Sequence, residues 1–353
     1  MLTLYIKSIN FCNFVPKCKI SYSLNLMKLL KLKILFFFLG CTILTSSAQE
    51  QHESKKFSYD KVAGIGHEAG ITRRDPSDVI KVGDTYYVYY TKVYGHFSGY
   101  QKASIWCASS TDEGYSWEEQ GEVLSVGDKG TFDSYSVFTP NVIYKDKQYY
   151  LYYTGVRPTP GHVDPLFENN SVDDYTAIGV AVSDSPVGPF YRKSKEPVLQ
   201  VSTNQYAFDS YRIDDASLLY KDKKYWLYYK GRCMKDGING PAGTKMGVAM
   251  SESPFGPFVK QAGPILAGSH EVMVWPGKKG MYALASITST IEYAPDGIHF
   301  EENPLKLKVH NRPNAPGAYR PELTGKKSND GLVWGISMVH NGNECYLVRY
   351  SYK

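Results

Sequence analysis

One short sentence of residues is written several times along this chain, and that repetition limits what the chain can fold into. The first copy is Asp75-Pro76-Ser77-Asp78-Val79-Ile80, a Gly83-Asp84 turn, and the run Thr85-Tyr86-Tyr87-Val88-Tyr89-Tyr90-Thr91. Aromatic and β-branched residues flanking a tight turn read as a hairpin with an acid at its mouth. The second copy runs Thr139-Pro140-Asn141-Val142-Ile143-Tyr144, a Lys145-Asp146-Lys147 turn, then Tyr149 to Gly155. The third runs Asp215-Ala216-Ser217-Leu218-Leu219-Tyr220, a Lys221-Asp222-Lys223 turn, then Tyr225 to Gly231. Two weaker copies open at His270-Glu271-Val272 and at Arg320-Pro321-Glu322-Leu323, the last leading into Leu332 to Ile336.

Successive copies start roughly 50 to 75 residues apart, the spacing of propeller blades with insertions. A second hairpin half follows the first four. Ile105-Trp106-Cys107-Ala108 leads to Asp112-Glu113-Gly114-Tyr115-Ser116-Trp117, and Ile178 to Ser183 and Met246 to Ser251 each lead to a Ser-Pro-X-Gly-Pro-Phe turn. The unit is therefore a four-stranded antiparallel sheet, and five units predict an all-β, five-bladed propeller over residues 74–353. The last unit ends early, so a strand near Phe57 to Val62 is expected to complete it and close the ring. Two stacked sandwiches would also supply short strands and turns, but not a repeat with fixed internal order. Helical periodicity never lasts beyond a turn or two, which predicts almost no helix.

The first 48 residues belong to a different grammar. From Met27 the chain reads Lys28-Leu29-Leu30-Lys31-Leu32-Lys33, an apolar run from Ile34 to Leu44, then Thr45-Ser46-Ser47-Ala48. A basic end, a short apolar core and small residues at the cut describe a secretory signal with its true start at Met27 and cleavage after Ala48. The core is too short to span a membrane. Export to the periplasm is the expectation, favoured over an outer-membrane lipoprotein attached through Cys41. Residues 49–73 then form an N-terminal segment before the first blade.

Removing the leader's six lysines takes the formal charge from +5 to −1. A near-neutral domain without a basic stripe is a poor partner for nucleic acid. Cys107, Cys233 and Cys345 remain, an odd number in strand-like contexts, and read as buried thiols with at most one disulfide.

In a propeller the inner strands line a central channel. The five entrances then carry Asp75, Thr139 with Asn141, Asp215 beside Asp214, His270 with Glu271, and Arg320 with Glu322, next to Arg73 and Arg74. Burying several carboxylates together is costly unless they are paired, hydrated or functional. Paired carboxylates on an aromatic scaffold point to glycoside chemistry, in which one group protonates the leaving oxygen and another activates water or attacks the sugar. An oligosaccharide is the expected partner. No cofactor is required, although a polar axis could hold a hydrated divalent cation.

The motifs Arg73-Arg74-Asp75-Pro76-Ser77, Phe208-Asp209-Ser210 with Asp215, Ser269-His270-Glu271-Val272 and Tyr319-Arg320-Pro321-Glu322-Leu323 carry a resemblance. The chain resembles glycoside hydrolase family 117, the exo-acting 3,6-anhydro-α-L-galactosidases that cut α-1,3 bonds at the non-reducing end of neoagaro-oligosaccharides. The resemblance implies an inverting reaction with Asp75 as the base, His270 as the general acid, Asp215 orienting groups and tuning proton affinity, and Glu271 holding the imidazole or the sugar. Arg73, Arg74, Thr139, Asn141, Asp214, Arg320 and Glu322 are the implied sugar contacts. Family members carry a helical N-terminal segment exchanged between two subunits, which the polar residues 49–73 do not match, so either a monomer or a homodimer fits. The alternatives left open are a related propeller glycosidase acting on an arabinoside, a xyloside or another algal galactan, and a non-catalytic sugar-binding propeller.

Overall fold

A computed structural model of the chain describes residues 56–95, 103–158, 174–278, 280–300, 305–306, 311–328 and 331–353. The leader and Cys41 lie outside these residues. From Lys55 onward the chain forms one compact unit.

Five antiparallel sheets make a five-bladed propeller. Blade 1 comprises Ile71–Arg74, Ile80–Val82, Thr85–Tyr94, Ser104–Ser110 and Glu118–Leu124. Blade 2 comprises Ser136–Lys145, Gln148–Pro158, Asp174–Ser183 and Tyr191–Arg192, and blade 3 comprises Arg212–Lys221, Lys224–Arg232, Lys245–Ser251, Val259–Lys260 and Leu266–Ala267. Blade 4 is built from Val274–Pro276, Met281–Ala285, Thr290–Ala294 and Leu305–Lys306. Blade 5 contains Asn314–Ala318, Trp334–Asn341 and Glu344–Tyr352, and its outer strand is Phe57–Lys61 from the other end of the chain. That strand pairs antiparallel with Glu344–Tyr352, from Phe57 opposite Tyr352 to Lys61 opposite Val348. Joining the two ends in one sheet covers an edge that would otherwise present unpaired backbone groups. Among the described residues there is no α-helix, and 3-10 segments occur at Met234–Gly243 and Pro321–Thr324.

The repeated Tyr-Tyr pairs explain much of the packing. Neighbouring residues of a strand point to opposite faces, so the two rings of a pair do different work. The first ring reaches the next blade. Tyr89 Oη donates to the Pro186 carbonyl, Tyr152 Oη to the Pro254 carbonyl at 2.6 Å, and Tyr228 Oη to the Gly297 carbonyl at 3.1 Å. The second ring turns to a carboxylate: Tyr90 to Glu119 at 2.6 Å, Tyr153 to Asp133 at 2.8 Å and Tyr229 to Asp209 at 2.9 Å. All six rings are buried. A buried ring stabilises by about 1.5–3 kcal/mol through area removed from water, and its hydroxyl needs a partner to be tolerated there. The apolar core accordingly lies between blades, where Val142, Leu151, Ile178 and Leu227 belong to one continuous cluster.

The fifth repeat needs a correction. Read from sequence, Arg320-Pro321 opens it; in the structure the inner strand of blade 5 is Asn314–Ala318, and Pro321–Thr324 is a 3-10 turn after it. The residue at the fifth entrance is Ala315, followed by Pro316. Gly317 allows this strand to lie against blade 1, because a Cβ there would sit 1.8 Å from the Ser77 carbonyl oxygen. Small apolar residues hid the strand, whereas the charged Arg320-Pro321-Glu322 imitated the Asp-Pro opening of blade 1.

Candidate active site

Four entrances share an unusual backbone. Asp75, Thr139, Asp215 and Ala315 have φ of 48°, 47°, 54° and 39°, a left-handed conformation that costs non-glycine residues about 1–2 kcal/mol. In blades 2, 3 and 5 the strand register shifts at this point, between Phe138 and Asn141, Asp214 and Ser217, and Asn314 and Gly317. In blade 1 the inner strand is broken between Arg74 and Ile80. Each bulge swings one residue out of the ladder and toward the axis. Thr139 is the clearest case, since a β-branched residue tolerates this conformation least. Strain repeated at equivalent places around a ring marks a site that the fold is built to hold.

The swung-out residues line one pocket, open to solvent, together with Pro76, Asp78, Pro140, Asn141, Ala216, Glu271, Val272 and Pro316. Three of its carboxylates, one each from blades 1, 3 and 4, have their own cation. Asp75 takes both guanidinium arms of Arg74, Nε at 2.6 Å and Nη2 at 3.2 Å. Asp215 faces the Lys230 ammonium at 2.9 Å, and Glu271 accepts from Arg312 Nη1 at 3.3 Å. The loop carrying Glu271 is pinned by Ser286, whose Oγ accepts the His270 and Glu271 amides at 2.9 and 3.0 Å.

Proton affinities separate the carboxylates further. Burial pushes Asp215 up to about 7; Lys230 opposes this, while the Asp214 and Asp75 carboxylates reinforce it. Asp214 is also buried, but Lys230 and Arg212, 2.9 and 2.7 Å away, outweigh that and hold it well below the usual carboxylate range. A carboxyl pushed up to about 7 is roughly half protonated at neutral pH, so Asp215 can carry a proton there.

Asp78 lies three residues beyond Asp75 and lines the pocket more deeply. Its carboxylate accepts the Ala318 amide at 2.8 Å, Asn141 Nδ2 at 3.1 Å, Ser217 Oγ at 3.4 Å and Arg320 Nη1 at 2.9 Å. Arg320 also donates to the Leu218 carbonyl at 2.7 Å and to Glu322 at 2.7 Å. This buried knot joins blades 1, 2, 3 and 5 and stoppers the axis behind the pocket. Among the described residues no group of three or more His, Cys, Asp or Glu side chains is arranged to hold a metal ion. The Asp78 carboxylate on the axis is engaged by the Arg320 guanidinium.

Of the residues singled out from sequence, Asp75, Thr139, Asn141, Asp215 and Glu271 converge on the pocket. His270 does not line it. Its Nδ1 lies 3.4 Å from Thr244 Oγ1, and the Lys230 charge, aided by burial, lowers its proton affinity to about 3. Arg73 is buried against Glu68 and Glu119, at 2.7 and 2.9 Å. Asp214 is enclosed between Arg212 and Lys230, and Arg320 and Glu322 pair with each other in the axial knot. Asp78, Lys230 and Arg312 went unmarked in the sequence. Asp78 stands inside the opening motif and could have been found by asking which acid of that strand points inward.

The family described as Glycosyl hydrolases family 43 matches residues 71–216, the stretch from blade 1 to the start of blade 3. A solved family 117 glycoside hydrolase from the marine bacterium Zobellia galactanivorans superimposes with a TM-score of 0.70 at 26% identity, covering 84% of this chain and 90% of that one. The protein is a glycoside hydrolase. Its resemblance to family 117 runs through the fold as well as the motifs. More distant solved structures share the hydrolase's fold. One described as a glycoside hydrolase has a TM-score of 0.62 at 13% identity, over 87% of this chain and 96% of that one. A family 43 β-xylosidase/α-arabinofuranosidase from a compost metagenome has a TM-score of 0.55 at 16% identity, over 84% and 95%. Among curated proteins no sequence matches the hydrolase. None of its helices among the described residues is long and apolar enough to cross a membrane, and Cys107, Cys233 and Cys345 are free thiols.

Proposed function

We propose that this hydrolase removes one terminal sugar by inversion, and that the sugar is 3,6-anhydro-L-galactose at the non-reducing end of neoagaro-oligosaccharides. The observation that carries the reading is the convergence of Asp75, Asp215 and Glu271 on a pocket whose far end is stoppered by Asp78 and Arg320. A blind pocket takes a chain end and not the middle of a chain, which favours exo action. The identity of the sugar is supported by the motifs shared with family 117 and by the 26% identity to a member of it.

In this reading Asp75, presented by Arg74 as an ion-paired carboxylate, takes a proton from the attacking water. Asp215 donates its proton to the departing oxygen, and Glu271 accepts hydrogen bonds from sugar hydroxyls. A neutral His270 outside the pocket is a poor proton donor, so the acid role moves from the imidazole to the buried carboxyl. The basic and apolar leader read from the sequence supports export, and in this reading the reaction takes place in the periplasm.

Incubation with neoagarobiose, followed by proton NMR of the first product, tests the proposal. Release of anhydrogalactose with inverted anomeric configuration supports it, and absence of any monosaccharide overturns it. The family 43 match over residues 71–216 favours a second reading, a pentosidase, and aryl arabinofuranosides and xylosides in the same assay separate the two.

A further inference from the structure

We infer that Lys230 is a positioning residue for Asp215, one ammonium that fixes the direction of that carboxyl while it also holds Asp214. This rests on the reading above in which the active enzyme uses protonated Asp215.

The geometry is specific. Lys230 Nζ lies 2.9 Å from Asp215 Oδ2 and 2.9 Å from Asp214 Oδ1, while the other Asp214 oxygen is taken by Arg212 Nε at 2.7 Å. Lys230 pairs with Asp214 across the sheet, so the strand register carries it to the entrance. Asp214 and Asp215 follow one another through a bulge, and successive residues would ordinarily face apart; the left-handed turn at Asp215 lets a single cation meet both. Two carboxylates sharing one buried cation cannot ionise equally well. The one with a second cation, Asp214, keeps its charge, and the one facing the pocket holds a proton more readily.

The charged and titratable groups facing Asp215 are Lys230 from the second strand of blade 3, Asp214 from its own strand, and Asp75 from blade 1. Glu271 from blade 4 shares the pocket, and His270 beside it feels the same Lys230. Lys230 pulls the Asp215 proton affinity down and Asp214 pushes it up. Removing them should therefore act in opposite directions, a signature that general damage to the site would not produce.

The test uses the mature chain with Lys230→Met and Asp214→Asn, each checked for folding by circular dichroism. The primary readout is the side-chain carboxyl carbon of Asp215 in an NMR pH titration. The secondary one is the alkaline limb of kcat on neoagarobiose, the substrate proposed above. Lys230→Met is expected to raise the Asp215 midpoint by about one unit or more and to lower kcat at least about tenfold with KM little changed. Asp214→Asn is expected to lower the midpoint. Lys230→Arg, which keeps the charge, should move it least. Midpoints that stay at the wild-type value in folded Lys230→Met and Asp214→Asn, or that move the same way in both, overturn the inference. His270→Asn leaving the titration in place assigns it to Asp215. Should Lys230→Met not fold, Asp214→Asn alone still decides, because an unmoved or raised midpoint contradicts the shared hold. Full activity in Asp215→Asn would sink the catalytic reading while leaving the NMR result for Lys230 to stand or fall by itself.

Discussion

Blades 2 and 3 are nearly the same object with different contents at one slot. Both carry the Phe-Asp-Ser-Tyr run just before the inner strand, and in both the aspartate accepts from the second ring of the Tyr-Tyr pair. Asp133 also pairs with Arg192, and Asp209 pairs with Lys260 at 2.6 Å. Phe132 and Phe208 press against Gly155 with Gly179 and against Gly231 with Gly247, where an added Cβ would meet the ring at 2.5 to 2.6 Å. Both entrances are left-handed. At the slot itself blade 2 holds Phe138, Thr139 and Thr154, with the two hydroxyls 2.6 Å apart. Blade 3 holds Asp214, Asp215 and Lys230. Blade 1 fills the same register with Arg74, Asp75 and Thr91. Thus the strained turn belongs to the scaffold, and the chemistry is written in three side chains per blade that the scaffold points at the axis.

Mutations can sharpen or break that contrast. Asp75→Asn and Asp215→Asn should each reduce kcat by about a thousandfold or more, whereas Thr139→Ala in the matching slot should cost less than about tenfold. Equal losses in steady-state assays would mean the slots are not distinguished by chemistry. Arg320→Ala, below all the slots, should destabilise the fold by about 3–5 kcal/mol by leaving Asp78 buried without its cation, read as a lowered denaturant midpoint. Ala315→Gly, at the entrance with no polar contact in its side chain, should stabilise by up to about 1 kcal/mol as the left-handed turn loses its penalty; a lowered midpoint would show that the entrance backbone is not strained. The smallest effect concerns acid stability. Burial would raise Glu119, but hydrogen bonds from Arg73, Lys92 and Tyr90 outweigh it and lower this carboxyl to about 2. Its contribution is present above the ordinary value of 4.5 and is lost as pH falls toward about 2. Glu119→Gln should flatten the stability profile within that window.

The sequence made the repeat visible because blade packing demands the same tyrosines at the same register each time. It also showed the polar entrances of blades 1 to 4, since Asp-Pro and Thr-Pro at a strand start are rare enough to stand out. The fifth entrance was obscured because Ala315-Pro316-Gly317 is chosen for closeness to blade 1, a requirement set by a residue more than two hundred positions away. Lys230 and Arg312 were invisible for a related reason. One sits in the second strand of its blade and the other in a loop before the next, and only folding brings them to carboxylates in other segments. His270 has the residue type of a proton donor, but the cations around it were not legible from its neighbours in the chain.

The strand Phe57–Lys61, which pairs with Glu344–Tyr352, has a consequence for how the molecule comes to exist. Synthesis delivers this strand long before its partner. Asp78 likewise waits through 242 residues for Arg320. Blades 1 to 4 can assemble as neighbours, but the knot behind the pocket waits for Arg320 and the ring for Glu344–Tyr352. Contacts this distant in sequence make folding slow and leave the unfinished edge exposed to other chains. Ring closure is therefore a late event, and loss of Glu344–Tyr352 would leave the strand Phe57–Lys61 without its partner.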